Sequence, residues 1–149
     1  MAGVRDIIFS YVFMVNKCEI ITQCLEVCYE YNLPFDKVYR LIEQVRDCID
    51  GTIVDCQKYL KNKEHDEVSA ILNKCISYQD EFVKSPSKTR VAKLIYKDNK
   101  RWYENLDAKR QPWYKQKIKL DKEMAIAFCK SKMKLSLDNT NIETEENKQ

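Results

Sequence analysis

Apolar positions along this chain recur at helical rather than strand spacing, in long runs separated by short polar breaks. From Val4 to Tyr31, Ile7, Ile8, Val12, Phe13 and Val15 nearly encircle the first part of a helix, which predicts a central place for it in the fold. A turn at Asn16 or Lys17 is expected to divide this segment. The second part, Cys18 to Tyr31, carries a narrower stripe of Ile21, Cys24, Leu25 and Cys28, and Asn32 with Pro34 ends it. Asp36 is placed to cap a third helix, in which Val38, Leu41, Ile42, Val45, Cys48, Ile49, Ile53, Cys56 and Leu60 follow the i, i+3, i+4 rule through Gly51. A glycine inside a helix costs about 1 kcal/mol relative to alanine, so Gly51 is expected to mark a bend or a close helix crossing.

The polar link KNKEHDE leads to a fourth helix from Asp66 to Lys84, with Val68, Ile71, Leu72, Cys75, Tyr78, Phe82 and Val83 on its buried side. Ser85 and Pro86 break the chain there, and Ser87 can cap a fifth helix carrying Val91, Leu94, Ile95 and Trp102. Asp107 is expected to cap a sixth, whose stripe is Trp113, Leu120, Met124, Ala127 and Phe128, with Pro112 one turn inside it. Beyond Lys134 the segment LSLDNTNIETEENKQ loses periodicity and aromatics and reads as a disordered acidic tail. Two glycines and three prolines leave few positions for hairpin turns. The fold class expected is therefore all-α, a bundle of six helices.

Charge divides the chain. Residues 1–83 carry nine basic and fourteen acidic groups, residues 84–134 sixteen basic and five acidic, and residues 135–149 one basic and four acidic, so a net charge of +3 hides a strong asymmetry. This predicts an acidic N-terminal bundle over 1–84, a basic helical region over 85–134 that either packs on it or forms a unit of its own, and the tail over 135–149. So positive a block repels itself unless a polyanion or an acidic protein surface meets it. The residues placed to contact phosphate are Lys93, Lys97, Lys100, Arg101, Lys109, Arg110, Lys115, Lys117 and Lys119, with Tyr96 or Tyr103 available to stack.

Within that block the run W-x-x-x-L-D-x-x-x-x-P-W-Y, spanning Trp102, Leu106, Asp107, Pro112, Trp113 and Tyr114, resembles the join between the second and third helices of an HMG box. The likeness covers Val91 to Lys130. It implies core roles for Trp102, Trp113 and Tyr114, and an architectural protein that binds the DNA minor groove and bends it. Where an HMG box carries a basic arm and an aromatic-rich first helix, Ala70 to Phe82 is neutral to acidic.

Seven cysteines, with no C-x-x-C pair and one histidine, point to buried thiols rather than a zinc site, and no metal or other cofactor is expected. His65 lies in a charged link without a nucleophile pattern beside it and reads as a solvated loop residue. No catalytic constellation emerges, so the chain is read as non-enzymatic. An odd cysteine count without a secretory signal suits an intracellular, reducing compartment, nuclear if the protein binds DNA. Residues 7–15 are apolar but too short to span a bilayer. Two functions fit: a DNA-binding, chromatin- or transcription-associated protein, or a viral or cellular helical adaptor or structural subunit of a larger complex, with a partner surface on its N-terminal helices and no nucleic-acid activity. DNA is favoured over RNA.

Overall fold

From Val4 to Tyr31 the backbone stays helical without a break in the computed structural model, which describes residues 2–109 together with Glu123 and Ala127. This is α1. It is followed by α2 (Asp36–Leu60), α3 (Asp66–Lys84) and α4 (Lys88–Lys109). The described residues form four helices rather than the corresponding parts of six, and both differences have local causes. At Asn16 and Lys17, where a turn was expected, the flanking Met14, Val15, Cys18, Ile20 and Ile21 are all buried, so packing on both sides holds the helix together. Asn16 is itself buried and accepts a hydrogen bond from the Tyr103 hydroxyl at 3.3 Å. Near Asp107 the fifth expected helix runs on to Lys109, so Asp107 is a helix residue and not a cap. Trp113, Tyr114 and most of the expected sixth helix lie outside the described residues. Ala127, placed on its buried stripe, is exposed.

α1 is the hub. It packs chiefly against α2 and α4, while α2 packs against α3. α1 and α2 run antiparallel: Lys17 donates to Gln44 at 2.8 Å, and the Cys48 thiol donates to the Ser10 carbonyl at 3.3 Å. The continuous α1, unlike the apolar run 7–15 alone, is long and apolar enough to cross a membrane. Here 67% of its most apolar window is buried inside the fold. The helix closes at Asn32, whose left-handed backbone (φ 53°, ψ 47°) directs its N–H to the Cys28 carbonyl.

In α2 and α3 the inward stripes fall where their spacing put them. Val38, Leu41, Ile42, Val45, Ile49, Ile53 and Cys56 are buried on α2, and Val68, Ile71, Cys75, Tyr78 and Phe82 on α3. Val83 is the exception: one residue past Phe82, about 100° further round the helix, it faces outward and is 71% exposed. Phe35 rather than Asp36 takes the cap position of α2, and Asp36 sits in the first turn, where its charge favours the helix dipole. His65 is not a free loop residue. Its Nδ1 accepts from the Val68 N–H at 3.4 Å and caps α3, while its ring meets Tyr59 edge-on.

Gly51 is neither a break nor a close crossing, because a Cβ placed there meets nothing within 4 Å. Gly51→Ala is therefore expected to raise the unfolding free energy by about 1 kcal/mol, read as a higher urea midpoint with an unchanged slope. Five of the six described cysteines are buried. Burial pushes the Cys56 thiol up to about 11 and the Cys75 thiol up to about 12, so both stay protonated and pack as small apolar side chains.

Candidate nucleic-acid interface

The turn into α4 is built from hydroxyls. The Ser87 N–H donates to Ser85 Oγ at 3.2 Å, and Ser87 Oγ accepts from the Arg90 N–H at 3.3 Å, which makes Ser87 the cap its position predicted. Lys88 reaches back and donates to the carbonyls of Phe82 and Ser85, groups left without partners by the end of α3. Its charge is thus spent inside the turn.

The inner face of α4 consists of Val91, Ala92, Ile95, Asn99 and Tyr103. This register departs from the expected stripe. Leu94 is 46% exposed, and Trp102 lies half-buried at the edge, against the ring of Tyr11 at 5.2 Å and 71°. Asn99 lies at the centre of this inward face. Its Oδ1 accepts from the Tyr11 hydroxyl at 2.6 Å and from Lys74 Nζ at 3.4 Å, while its Nδ2 donates to the Tyr78 hydroxyl at 2.9 Å and to the Ile95 carbonyl at 2.8 Å. Tyr78 in turn donates to Asp98. One amide, with every donor and acceptor site used, fastens α4 to α1 and α3. Burial pushes the phenols of Tyr11 and Tyr78 far above their ordinary range, so both remain donors at any physiological pH.

This anchoring fixes what the opposite face presents. Lys93, Lys97, Lys100 and Arg101, four of the residues placed on phosphate, are all exposed. Arg90, absent from that prediction, joins them: at about 100° per residue the five fall within about 100° of the helix circumference, over a length of about 16 Å. The i, i+3, i+7, i+11 spacing of Arg90, Lys93, Lys97 and Arg101 was the available signal for it. Among the described residues none of the five forms an ion pair, although Glu104 lies in the same sector. Of the two tyrosines offered for stacking, Tyr103 is buried and bonded to Asn16, which removes it, and Tyr96 is half-buried. The side chain of Lys109, and Arg110, Lys115, Lys117 and Lys119, lie outside the described residues.

No family model matches this chain, and neither a curated protein nor a solved structure is significantly similar to it.

Proposed function

We propose that this protein is a non-enzymatic DNA-binding protein that holds the phosphate backbone on the outer face of α4. The observation carrying this reading is the stripe of five exposed cations, Arg90, Lys93, Lys97, Lys100 and Arg101, without an ion pair among the described residues, on a helix that the Asn99 hydrogen bonds fasten to its neighbours. A row of like charges that forms no ion pair among the described residues repels itself, and a polyanion that releases its counterions relieves that repulsion. Such binding reads backbone and shape before base identity.

The test is fluorescence anisotropy of a short duplex titrated with the full chain, from low to physiological salt. If five phosphates are neutralised, log K should fall against log salt with a slope of about −4.5. Joint charge reversal at Lys93, Lys97, Lys100 and Arg101 should flatten the slope and abolish binding while leaving the far-ultraviolet circular dichroism unchanged, since all four side chains are exposed. Unchanged affinity in that variant would end this reading.

A further inference from the structure

The outer face between α2 and α3 carries a second surface, opposite in charge to α4. Val83, at 71% exposure, is the most exposed large aliphatic side chain among the described residues, and Ile76, two helical turns earlier on the same face of α3, is 44% exposed. Across from them Val54 of α2 is 46% exposed. Between the two helices Arg46, Ile49, Asp50, Gln79, Phe82 and Val83 line an open groove of about 230 Å³. Its floor, Ile49 and Phe82, belongs to the core and is fixed. The Asp50 carboxylate accepts from the Gln79 amide at 2.7 Å, tying the two walls together. Because α2 and α3 turn their main stripes inward, no other helix among the described residues covers this face.

The charges around the groove define what fits it. Glu43, Asp47 and Asp50 of α2 are exposed on the outer side, and among the described residues none of them forms an ion pair. Two nearby cations are engaged: the Arg46 guanidinium lies over the Phe82 ring at 5.7 Å, and Lys84 pairs with Asp80 at 2.8 Å, while Arg40 is exposed one turn before Glu43. An apolar strip with the i, i+7 spacing of Ile76 and Val83, rimmed by carboxylates that form no ion pair among the described residues, complements a helix with the reverse pattern.

We infer that the α2–α3 groove is a docking site for a basic amphipathic helix of a partner protein. The partner's apolar side chains at i, i+3, i+4 and i+7 rest on Val83, Ile76 and the rim of Phe82. Its lysines or arginines face Glu43, Asp47 and Asp50. Such an arrangement gives this protein two independent surfaces, α4 for a polyanion and α2–α3 for a cationic helix, so that it bridges two ligands that would also attract each other.

The experiment uses the full chain and a fluorescein-labelled synthetic helix of about five turns, with leucines at the core spacing and lysines elsewhere. The comparison peptide has glutamate at every lysine position. The lysine peptide should bind at least about tenfold tighter than the glutamate peptide, and Val83→Ser should weaken it about tenfold through lost apolar contact. Asp47→Lys with Asp50→Lys should weaken it to a similar degree, whereas charge reversal at Lys97 and Arg101 should leave it unchanged. Equal binding of both peptides, or wild-type affinity in the Val83→Ser and Asp50→Lys proteins, would overturn the inference. So would sedimentation showing that the protein alone dimerises through Val83, since a second copy would then be the occupant.

Discussion

Asn99→Ala is expected to lower the unfolding free energy by about 3 kcal/mol, far more than truncating an exposed polar residue. The substitution removes a small side chain, so the loss comes from the groups left behind. The Tyr11 hydroxyl stays buried without its 2.6 Å acceptor, and the Tyr78 hydroxyl loses the donor that fixes its orientation toward Asp98. A buried polar group left without a partner costs about 1–3 kcal/mol; that group is the Tyr11 hydroxyl, and the lost bond to Tyr78, which keeps Asp98, adds about 1 kcal/mol. The Ile95 carbonyl adds little, because the helix ladder still supplies it with a backbone donor.

Asn99→Asp separates this explanation from simple loss of volume. It keeps the acceptor for Tyr11 but loses both donors, and it places a carboxylate at a site with no solvent exposure. Burial raises the pKa of such a group on folding, so the folded state binds the proton more tightly than the unfolded state. The penalty is then full at neutral pH and shrinks as pH falls through the raised folded value. Urea unfolding should therefore rank Asn99→Asp below Asn99→Ala at pH 7, with the gap narrowing at acidic pH. A double-mutant cycle with Tyr11→Phe should show a coupling of about 1 kcal/mol or more. Equal, small losses in both variants at every pH would mean that the hydrogen bonds do not hold α4.

Asn99 also shows where a sequence stops being legible. A stripe read from apolar spacing has no place for an inward asparagine, so the expected face of α4 included Leu94 and Trp102 and missed the true register. The same rule placed a break at Asn16 and Lys17, although buried neighbours on both sides outweigh one polar pair. On α2 and α3, where the inward positions are almost all apolar, the spacing located most of the core, with Cys48, Leu60 and Leu72 half-buried and Val83 outside it. Caps were readable where a hydroxyl does the work, as at Ser87, and misleading at Asp36, since an aspartate suits the first turn of a helix as well as its cap, and at Asp107, where α4 runs on to Lys109. Exposure of Lys93, Lys97, Lys100 and Arg101 followed from charge alone. The α2–α3 groove did not, because Val83 reads as core in any scheme that scores hydrophobicity without register.

Neighbouring truncations at Phe82 and Val83 turn that last point into a measurement. Both residues are large and apolar and lie at the end of the same stripe, so a pattern-based reading assigns them similar weight. The fold does not: Phe82 is 1% exposed and Val83 71%. Phe82→Ala is expected to cost about 3 kcal/mol, toward the lower end of the range for buried phenylalanines, because its ring also lines the groove and the space left opens to solvent. Arg46 loses the ring beneath its guanidinium at the same time. Val83→Ala should change stability by no more than about 0.5 kcal/mol, since it removes methyl groups already in contact with water. Equilibrium urea unfolding of the two variants decides the matter: comparable losses would place Val83 in the core and close the groove, whereas a large loss at Phe82 alone leaves Val83 on the surface, where the proposed docking of a partner helix requires it.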